Sequence, residues 1–362
     1  MDNIIKSDLT AGEIGFFSNY EIQSEVLANY NYKILDIQNI KFKDTDKQRA
    51  VFKIETNKGT KCLKKVYYQI DDLLFIYSII EWLNVRGVKC PRLLSTKNGR
   101  KFVNYQNNLF ILTDWIEGRK CDYDNINDIA LTALNLAKIH KYSKGFVPIE
   151  GSKIRKNDSL FFESYNKHFL QLLELSNSAF IVKDKFSKIF LDHFDYNLLK
   201  AQESVYLLSQ IDLTKNIGDS VSLNSICHLD YVNKNIIFTP DNQIYLIDFD
   251  KTQIDMPVHD ISYYLRRILK REKTEWSFEI FKVAMESYEN VRPLGKSEYL
   301  ILLSTLMFPH KFWKISRDYY KNLKQCNKES FTTILKKIVS QEANHDLFCE
   351  KAKEYIEEKF KE

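Results

Sequence analysis

The sequence predicts an α+β protein in two parts: a small antiparallel β-rich N-terminal part with one helix, and a larger, mainly helical C-terminal part. Three observations predict it. Two β-rich runs flank Asn57-Lys58-Gly59, a short turn of hairpin type. After Gln69 the apolar residues Leu73, Leu74, Ile76, Tyr77, Ile80 and Leu83 recur at three and four, the period of a helix. Beyond Gly118 the pattern is helical almost throughout, interrupted by one β-rich island between Ile226 and Phe249. The division falls near Trp115–Gly118, giving an N-terminal part over 1–115 and a C-terminal part over 116–362.

In order along the chain, residues 13–31 are mainly helical in pattern and end near Tyr30-Asn31-Tyr32. Strands follow over Tyr32–Phe42, Val51–Thr56 and Thr60–Tyr68, each rich in β-branched or aromatic residues. The helix after Gln69 stops at Gly87, with Pro91 beyond it. Lys101–Asn104 and Leu109–Trp115 are two more strands, joined through Tyr105–Asn108. In the second part, Ile126–His140 is a mostly buried helix, and Phe161–Leu175 and Lys185–Leu208 are long amphipathic ones. The island comprises Ile226–Leu229, Asn235–Thr239, the turn Pro240-Asp241-Asn242-Gln243, and Ile244–Phe249. Residues 260–361 return to helix, and no internal repeat is visible.

Composition narrows the function. The chain has 362 residues, 53 Lys and Arg against 48 Asp and Glu, and a formal charge of +5. At roughly 150 residues per domain this is two domains or one large two-lobed one. With 44% hydrophobic residues it is too apolar for disorder. The longest apolar stretch, Leu73–Trp82, is broken by Ser78 and Glu81, well short of the ~20 residues of a membrane span. No basic-then-apolar signal opens the chain, and the six scattered cysteines show no CxxC, the pattern of reduced intracellular thiols. The charge is too low, and the aromatic–basic interleaving too absent, for a nucleic-acid binder. The one dense basic cluster, Leu265–Arg271, reads as the wet face of a helix.

The island carries the chemistry. It reads His228-Leu229-Asp230-Tyr231-Val232-Asn233-Lys234-Asn235, a hairpin, and Asp248-Phe249-Asp250. Asp230 and Asn235 sit at the two ends of one tight loop, and the hairpin Ile236–Ile247 returns Asp248 beside Asn235. An amide oxygen and a carboxylate side by side are hard oxygen ligands suited to Mg²⁺ on a nucleotide phosphate. Asp230 is placed to accept a proton from a substrate hydroxyl. A second signal is Lys61-Cys62-Leu63-Lys64. Alternation puts Cys62 and Lys64 on one face, a small residue two before a phosphate-directed Lys, with Lys65 as the competing candidate. A third is the apolar strand Leu109–Trp115, which runs out through Ile116-Glu117-Gly118. The backbone of this connector, at Asp114 and Ile116, can hydrogen-bond an adenine edge.

These motifs resemble the protein-kinase-like superfamily in its aminoglycoside phosphotransferase and choline kinase branch. Trp115-Ile116-Glu117-Gly118-Arg119, Leu136-Ala137-Lys138-Ile139-His140, Met256-Pro257-Val258-His259-Asp260 and Phe308-Pro309-His310-Lys311-Phe312-Trp313 narrow the resemblance to the CotS family of spore coat proteins, over roughly residues 25–350. The resemblance implies a protein-kinase-like two-lobed fold with ATP between the lobes. It also implies an endospore-forming bacterium, synthesis in the mother-cell cytoplasm and a place in the spore coat among other coat proteins. It makes Asp230 the catalytic base, Asn235 and Asp248 the Mg²⁺ ligands and Lys64 the phosphate lysine. Asp260 becomes the brace of the catalytic loop, and His228 a structural residue under the metal site. Only eleven residues lie between Asp248 and Asp260, too few for the peptide-holding segment of protein kinases, so the acceptor is a small hydroxyl- or amine-bearing molecule. Glu163, Glu174, Asp192 and Asp195, in the region that walls the substrate pocket of the small-molecule kinases, read as solvated helix faces.

Three departures bear on activity. The connection Lys41–Arg49 has no Gly, leaving Lys43, Lys47 or Arg49 to meet phosphates as point charges. Glu81, the acid inside the helix after Lys64, falls one turn late for a pair with that lysine. Leu229 stands where Gly or Arg is common. Two functions follow: an ATP–Mg²⁺-dependent phosphotransferase, or a kinase-like structural component of the coat that binds other coat proteins.

Overall fold

The computed structural model describes residues 17–43, 49–157, 161–211 and 224–361. The chain divides into two compact units. One holds the described residues up to Asn84 together with Lys89–Glu117 and Pro148–Lys153; the other holds Val85–Val88, Gly118–Val147 and Ile154 onward.

The first unit is built on a five-stranded antiparallel sheet of order β1-β2-β3-β5-β4. Its strands are β1 (Ile34–Lys43), β2 (Arg49–Thr56), β3 (Lys61–Val66), β4 (Val103–Tyr105) and β5 (Asn108–Asp114). Phe52 pairs with Leu63, and Leu63 with Leu112, so these side chains share one face. That face is covered by Phe17, Ile22, Val26, Leu27 and Tyr30 in a single buried cluster. The covering segment is helical over 19–29, as α1 (Asn19–Glu21), a π-turn (Ile22–Val26) and a 3₁₀ turn (Leu27–Asn29). It starts at a capping box, where Ser18 Oγ accepts from Glu21 N–H and Glu21 Oε2 accepts from Ser18 N–H at 2.8 Å. The helix α2 (Ile70–Val85) follows β3, and its end is tied by Asn84 to the Cys90 carbonyl at 3.0 Å. Residues 44–48 lie outside the described residues, as do the side chains of residues 41–43 and 49, so the connection expected to meet phosphates lies outside what the structure describes.

The second unit is helical around two small sheets. Its helices are α3 (Ile126–Tyr142), α4 (Phe161–Val182), α5 (Lys185–Asp192), α6 (Phe194–Ser209), α7 (Pro257–Leu269), α8 (Phe278–Glu289), α9 (Lys296–Met307), α10 (His310–Lys321), α11 (Lys328–Val339) and α12 (Glu342–Lys359). Helix α3 packs on α8, and α6 packs on α4 and α9. The single helix expected over Lys185–Leu208 is two. They meet at His193, which leaves helical geometry because its ring bonds Glu342 at 2.7 Å while that carboxylate also accepts from Asn197. Tertiary contacts from α12 override the local pattern there. Two short strands also escape the pattern. β6 (Arg119–Lys120) pairs with β8 (Ile236–Phe238), and β10 (Gln253–Asp255) with β7 (Ser225–Cys227). β9 (Ile244–Leu246) completes the hairpin with β8. Gly118 precedes β6 where the chain crosses closest to Phe238; a Cβ there would meet the Phe238 carbonyl and lie 2.8 Å from Ile237 Cγ2. All six cysteines are free thiols, and among the described residues no helix is long and apolar enough to cross a membrane.

The helical unit buries histidines in their neutral form. His168 lies against Trp313 with ring centroids 3.8 Å apart. Burial first, then the nearby Arg317, Lys167 and Arg266, push its pKa down to about 4. Below the ordinary value near 6.5 the unfolded chain therefore binds a proton that the folded chain refuses. Stability is expected to fall as pH drops from about 6.5 towards 4, and His168→Phe should flatten that slope. Melting temperature against pH for the two proteins measures it; parallel curves would reject the assignment.

Candidate active site

The loop His228–Asn235 hangs from α7. Pro257 opens this helix and fixes its first turn, which carries the fully buried Asp260. Asp260 accepts the backbone N–H groups of His228 at 2.6 Å and Leu229 at 2.8 Å. That clamp holds Leu229 at φ +54°, a left-handed conformation a branched side chain rarely adopts and one that persists only where the surroundings over-determine it. His140 on α3 approaches the same carboxylate at 3.4 Å, and its other ring nitrogen bonds Tyr288. Among the described residues, His140, Cys227 and Asp260 are the one group with metal-binding proximity. The chemistry is that of a brace instead. The carboxylate is taken by the two loop N–H groups, and burial pushes the Cys227 thiol well above its usual range, so it stays protonated.

His228 joins the loop to the strand that returns from the hairpin. Its Nδ1 accepts the Asp230 N–H at 3.3 Å, so Nε2 carries the proton and donates to the Ile247 carbonyl at 3.2 Å. Burial holds this ring neutral. The residue is structural, and it lies edge-on to Phe249.

Asp230 faces two donors from its own loop, Asn235 and Lys234, and two from beyond it, Lys251 and Tyr263. Asn235 Nδ2 donates both to the Asp230 carbonyl at 2.9 Å and to its Oδ2 at 3.1 Å. Lys251 Nζ donates to Oδ1 at 3.1 Å, Tyr263 OH approaches that oxygen at 3.4 Å, and Lys234 Nζ lies 3.9 Å from Oδ2. Burial alone would raise the Asp230 pKa, but the two lysines and Asn235 outweigh it and hold the carboxyl below its usual range. The group is an anion with an unshared lone pair, fit to orient and accept a proton.

The hairpin delivers the second carboxylate. Ile236 pairs with Leu246, and Ile247 N–H donates to the Asn235 carbonyl at 2.9 Å, so Asp248 follows directly beside Asn235. Asp248 takes φ +66°, ψ +68°, a left-handed turn that re-aims the chain into a 3₁₀ turn (Phe249–Lys251). The amide NH₂ of Asn235 is committed to Asp230, which leaves Oδ1 as its candidate metal-binding atom. Two hard oxygens of this kind fit a Mg²⁺ ion, which needs few protein ligands and keeps the rest of its shell for phosphate and water.

In the N-terminal unit, Cys62 and Lys64 share the half-buried face of β3 with Val51 and Ile111, and Lys65 lies on the opposite, core face. Lys65 is buried with its ammonium 5.3 Å from the Phe17 ring, and burial lowers its pKa. That position separates the two lysines: Lys65 is packed into the covered core and Lys64 is not. Glu81 pairs with Arg92 at 3.1 Å. The Asp114 side chain pairs with Lys61, its cross-strand neighbour. Trp115 N–H donates to the Thr60 carbonyl, so Thr60/Trp115 is a hydrogen-bonded pair. By alternation the Asp114 carbonyl turns away from β3, and so does the Ile116 N–H two residues on. Those are the backbone groups expected to face adenine.

Two residues of the site were not foreseen. Lys251 follows the Asp-Phe-Asp run, and only the 3₁₀ turn after Asp248 swings it back onto Asp230. Tyr263 lies one helical turn beyond Asp260, and that spacing was the available signal.

An antiparallel sheet unit followed by a helical unit, with this loop–hairpin–helix site, is the protein-kinase-like fold of the aminoglycoside phosphotransferases. The aminoglycoside phosphotransferase of Alicyclobacillus acidocaldarius superposes with a TM-score of 0.81 at 20% identity, covering 96% of this chain and 98% of that one. Amicoumacin kinase hAmiN, solved with AMP-PNP and Ca²⁺, superposes with a TM-score of 0.59 at 15% identity over 90% and 94% of the two chains. The chain belongs to the family described as "Spore coat putative kinase YutH", whose model matches residues 32–352. Spore coat protein S of Bacillus subtilis (strain 168) is 25% identical over 337 residues, 92% of this chain and 94% of that protein. The recognition as a CotS-family protein on a kinase-like fold therefore holds.

Proposed function

We propose that this protein is a spore coat phosphotransferase, made in the mother cell, that moves the γ-phosphoryl group of Mg–ATP to a small acceptor. The observation that carries the reading is Asp230: an ionised carboxylate, hydrogen-bonded to Asn235, on the loop whose end the hairpin pairs with Ile247, the residue before Asp248. In the reaction the acceptor oxygen forms its bond to the γ-phosphorus as the bond from that phosphorus to the β,γ-bridging oxygen breaks. The acceptor proton passes to Asp230 and ADP leaves. Asn235 and Asp248 would hold Mg²⁺, which when bound neutralises charge on the phosphate oxygens. Lys64 would meet the α- and β-phosphates, and the Asp114 carbonyl and Ile116 N–H the adenine edge. Lys251 keeps Asp230 ionised and fixes its direction.

The second reading, a coat component that binds other coat proteins and has lost catalysis, is favoured by the connection Lys41–Arg49, which lacks glycine. Ligand binding separates the two. Mg–ATP at ~100 times its dissociation constant should stabilise the protein by about 2.7 kcal/mol, read as a rise in melting temperature. The rise should vanish with EDTA and in Asp248→Ala. No rise in the wild type, or the same rise in the variant, would remove the nucleotide site and leave the coat-component reading.

A further inference from the structure

Tyr263 links the catalytic carboxylate to a cavity of about 730 Å³ within the C-terminal unit. Tyr263 lines that cavity, and its hydroxyl lies 3.4 Å from Asp230 Oδ1. Beyond Tyr263, Arg266, Arg267 and Lys270 follow at three, four and seven residues, one face of α7 continued through its cap, and all three line the cavity. The first turns of α10 add Lys311 and Lys314. The segment expected to be a wet helix face therefore lines a cavity that stays open to solvent.

These five cations form no ion pair with a carboxylate among the described residues. Arg266 and Arg267 donate instead to phenols, Tyr165 at 3.3 Å and Tyr263 at 2.8 Å. The acids in the lining are already engaged: Glu272 pairs with Lys337, and Glu342 bonds His193 and Asn197. Burial, then the charges of Lys311, Arg267, Arg266 and Lys314, push Lys270 down to about 7. Burial, Arg267 and Lys314 lower Lys311 as well. Five basic groups gathered without a counter-charge repel one another, and an anion placed among them would relieve that cost.

We propose that the acceptor is a small hydroxyl compound bearing a phosphate or carboxylate, its anionic group bound by Lys270, Lys311 and the cations around them and its hydroxyl directed past Tyr263 to Asp230. This rests on the phosphotransferase reading. A cavity of this size holds a ligand of metabolite or drug size. A polyamine acceptor would meet groups of its own sign.

The test is calorimetric titration of the full chain, with and without Mg–ATP, using four probes: glycerol 3-phosphate, glycerate, glycerol and ethanolamine. Glycerol 3-phosphate or glycerate should bind, and which of them binds tells phosphate from carboxylate. Glycerol and ethanolamine should give no heat. The double variant Lys270→Met, Lys311→Met should weaken the anion at least tenfold yet keep its response to Mg–ATP. Because the variant removes like charges from a crowded site, its melting temperature should not fall, and Lys314→Gln provides a milder second variant. Binding of ethanolamine as tight as the anions, no binding of either anion, or unchanged anion binding in the variants would overturn the proposal. If Mg–ATP gives no response while the anions bind and the variants lose them, the cavity stands as an anion site and the phosphotransferase reading fails.

Discussion

Asp260→Ala is expected to lower the stability of the protein by about 3–5 kcal/mol, the range reached when a buried polar hub is removed. The carboxylate is fully buried, and it is the acceptor for two backbone N–H groups and the neighbour of His140. Truncation leaves both N–H groups without their acceptor in a place water cannot easily reach. It also removes the clamp that keeps Leu229 at positive φ. In melting temperature the change is roughly 6–20 °C for a unit of this size. Asp260→Asn should fall between the two, because one oxygen remains but an NH₂ group now faces a donor. A wild-type melting temperature in Asp260→Ala would mean that the loop is held by something else.

Asp230→Asn is expected to act on turnover instead of on the fold. The amide keeps the size of the carboxylate and an oxygen for Lys251 and Tyr263, so the hydrogen bonds at 3.1 and 3.4 Å can persist, at the cost of the bond from Asn235 Nδ2, which then meets a donor. It cannot take a proton. General-base catalysis contributes typically ~10²–10⁴-fold, and the loss should be of that order. Binding of Mg–ATP should survive, because Asn235 and Asp248 are untouched. A variant that loses nucleotide response together with turnover would show that Asp230 holds the metal site together and does not serve as its base.

Much of this was legible in the sequence because short-range physics enforces it. β2 and β3 alternate because each has a core face, and Asn57-Lys58-Gly59 lies in the hairpin between them. The cluster from His228 to Asp250 was legible for a different reason. A hairpin between Asn235 and Asp248 has one way to close, so the juxtaposition follows from the turn. What escaped depends on distant partners. β6 is two exposed residues that become a strand only because Ile236–Phe238 lies alongside. The break at His193 is made by Glu342, 149 residues away. The face Arg266–Lys270 has the composition of a solvated helix, and only the arrival of α10 turns it into a cavity wall. Lys251 is one lysine among many until the left-handed turn at Asp248 brings it to Asp230.

The measurement that bears most directly on the central claim is ADP formation from ATP by the wild type and Asp230→Asn side by side, with Mg²⁺ and with EDTA, in the presence of glycerol 3-phosphate or glycerate. The phosphotransferase account predicts Mg²⁺-dependent ADP formation by the wild type and a loss of about two to four orders of magnitude in the variant. Equal rates in the two proteins, or ADP formation by neither, would contradict it.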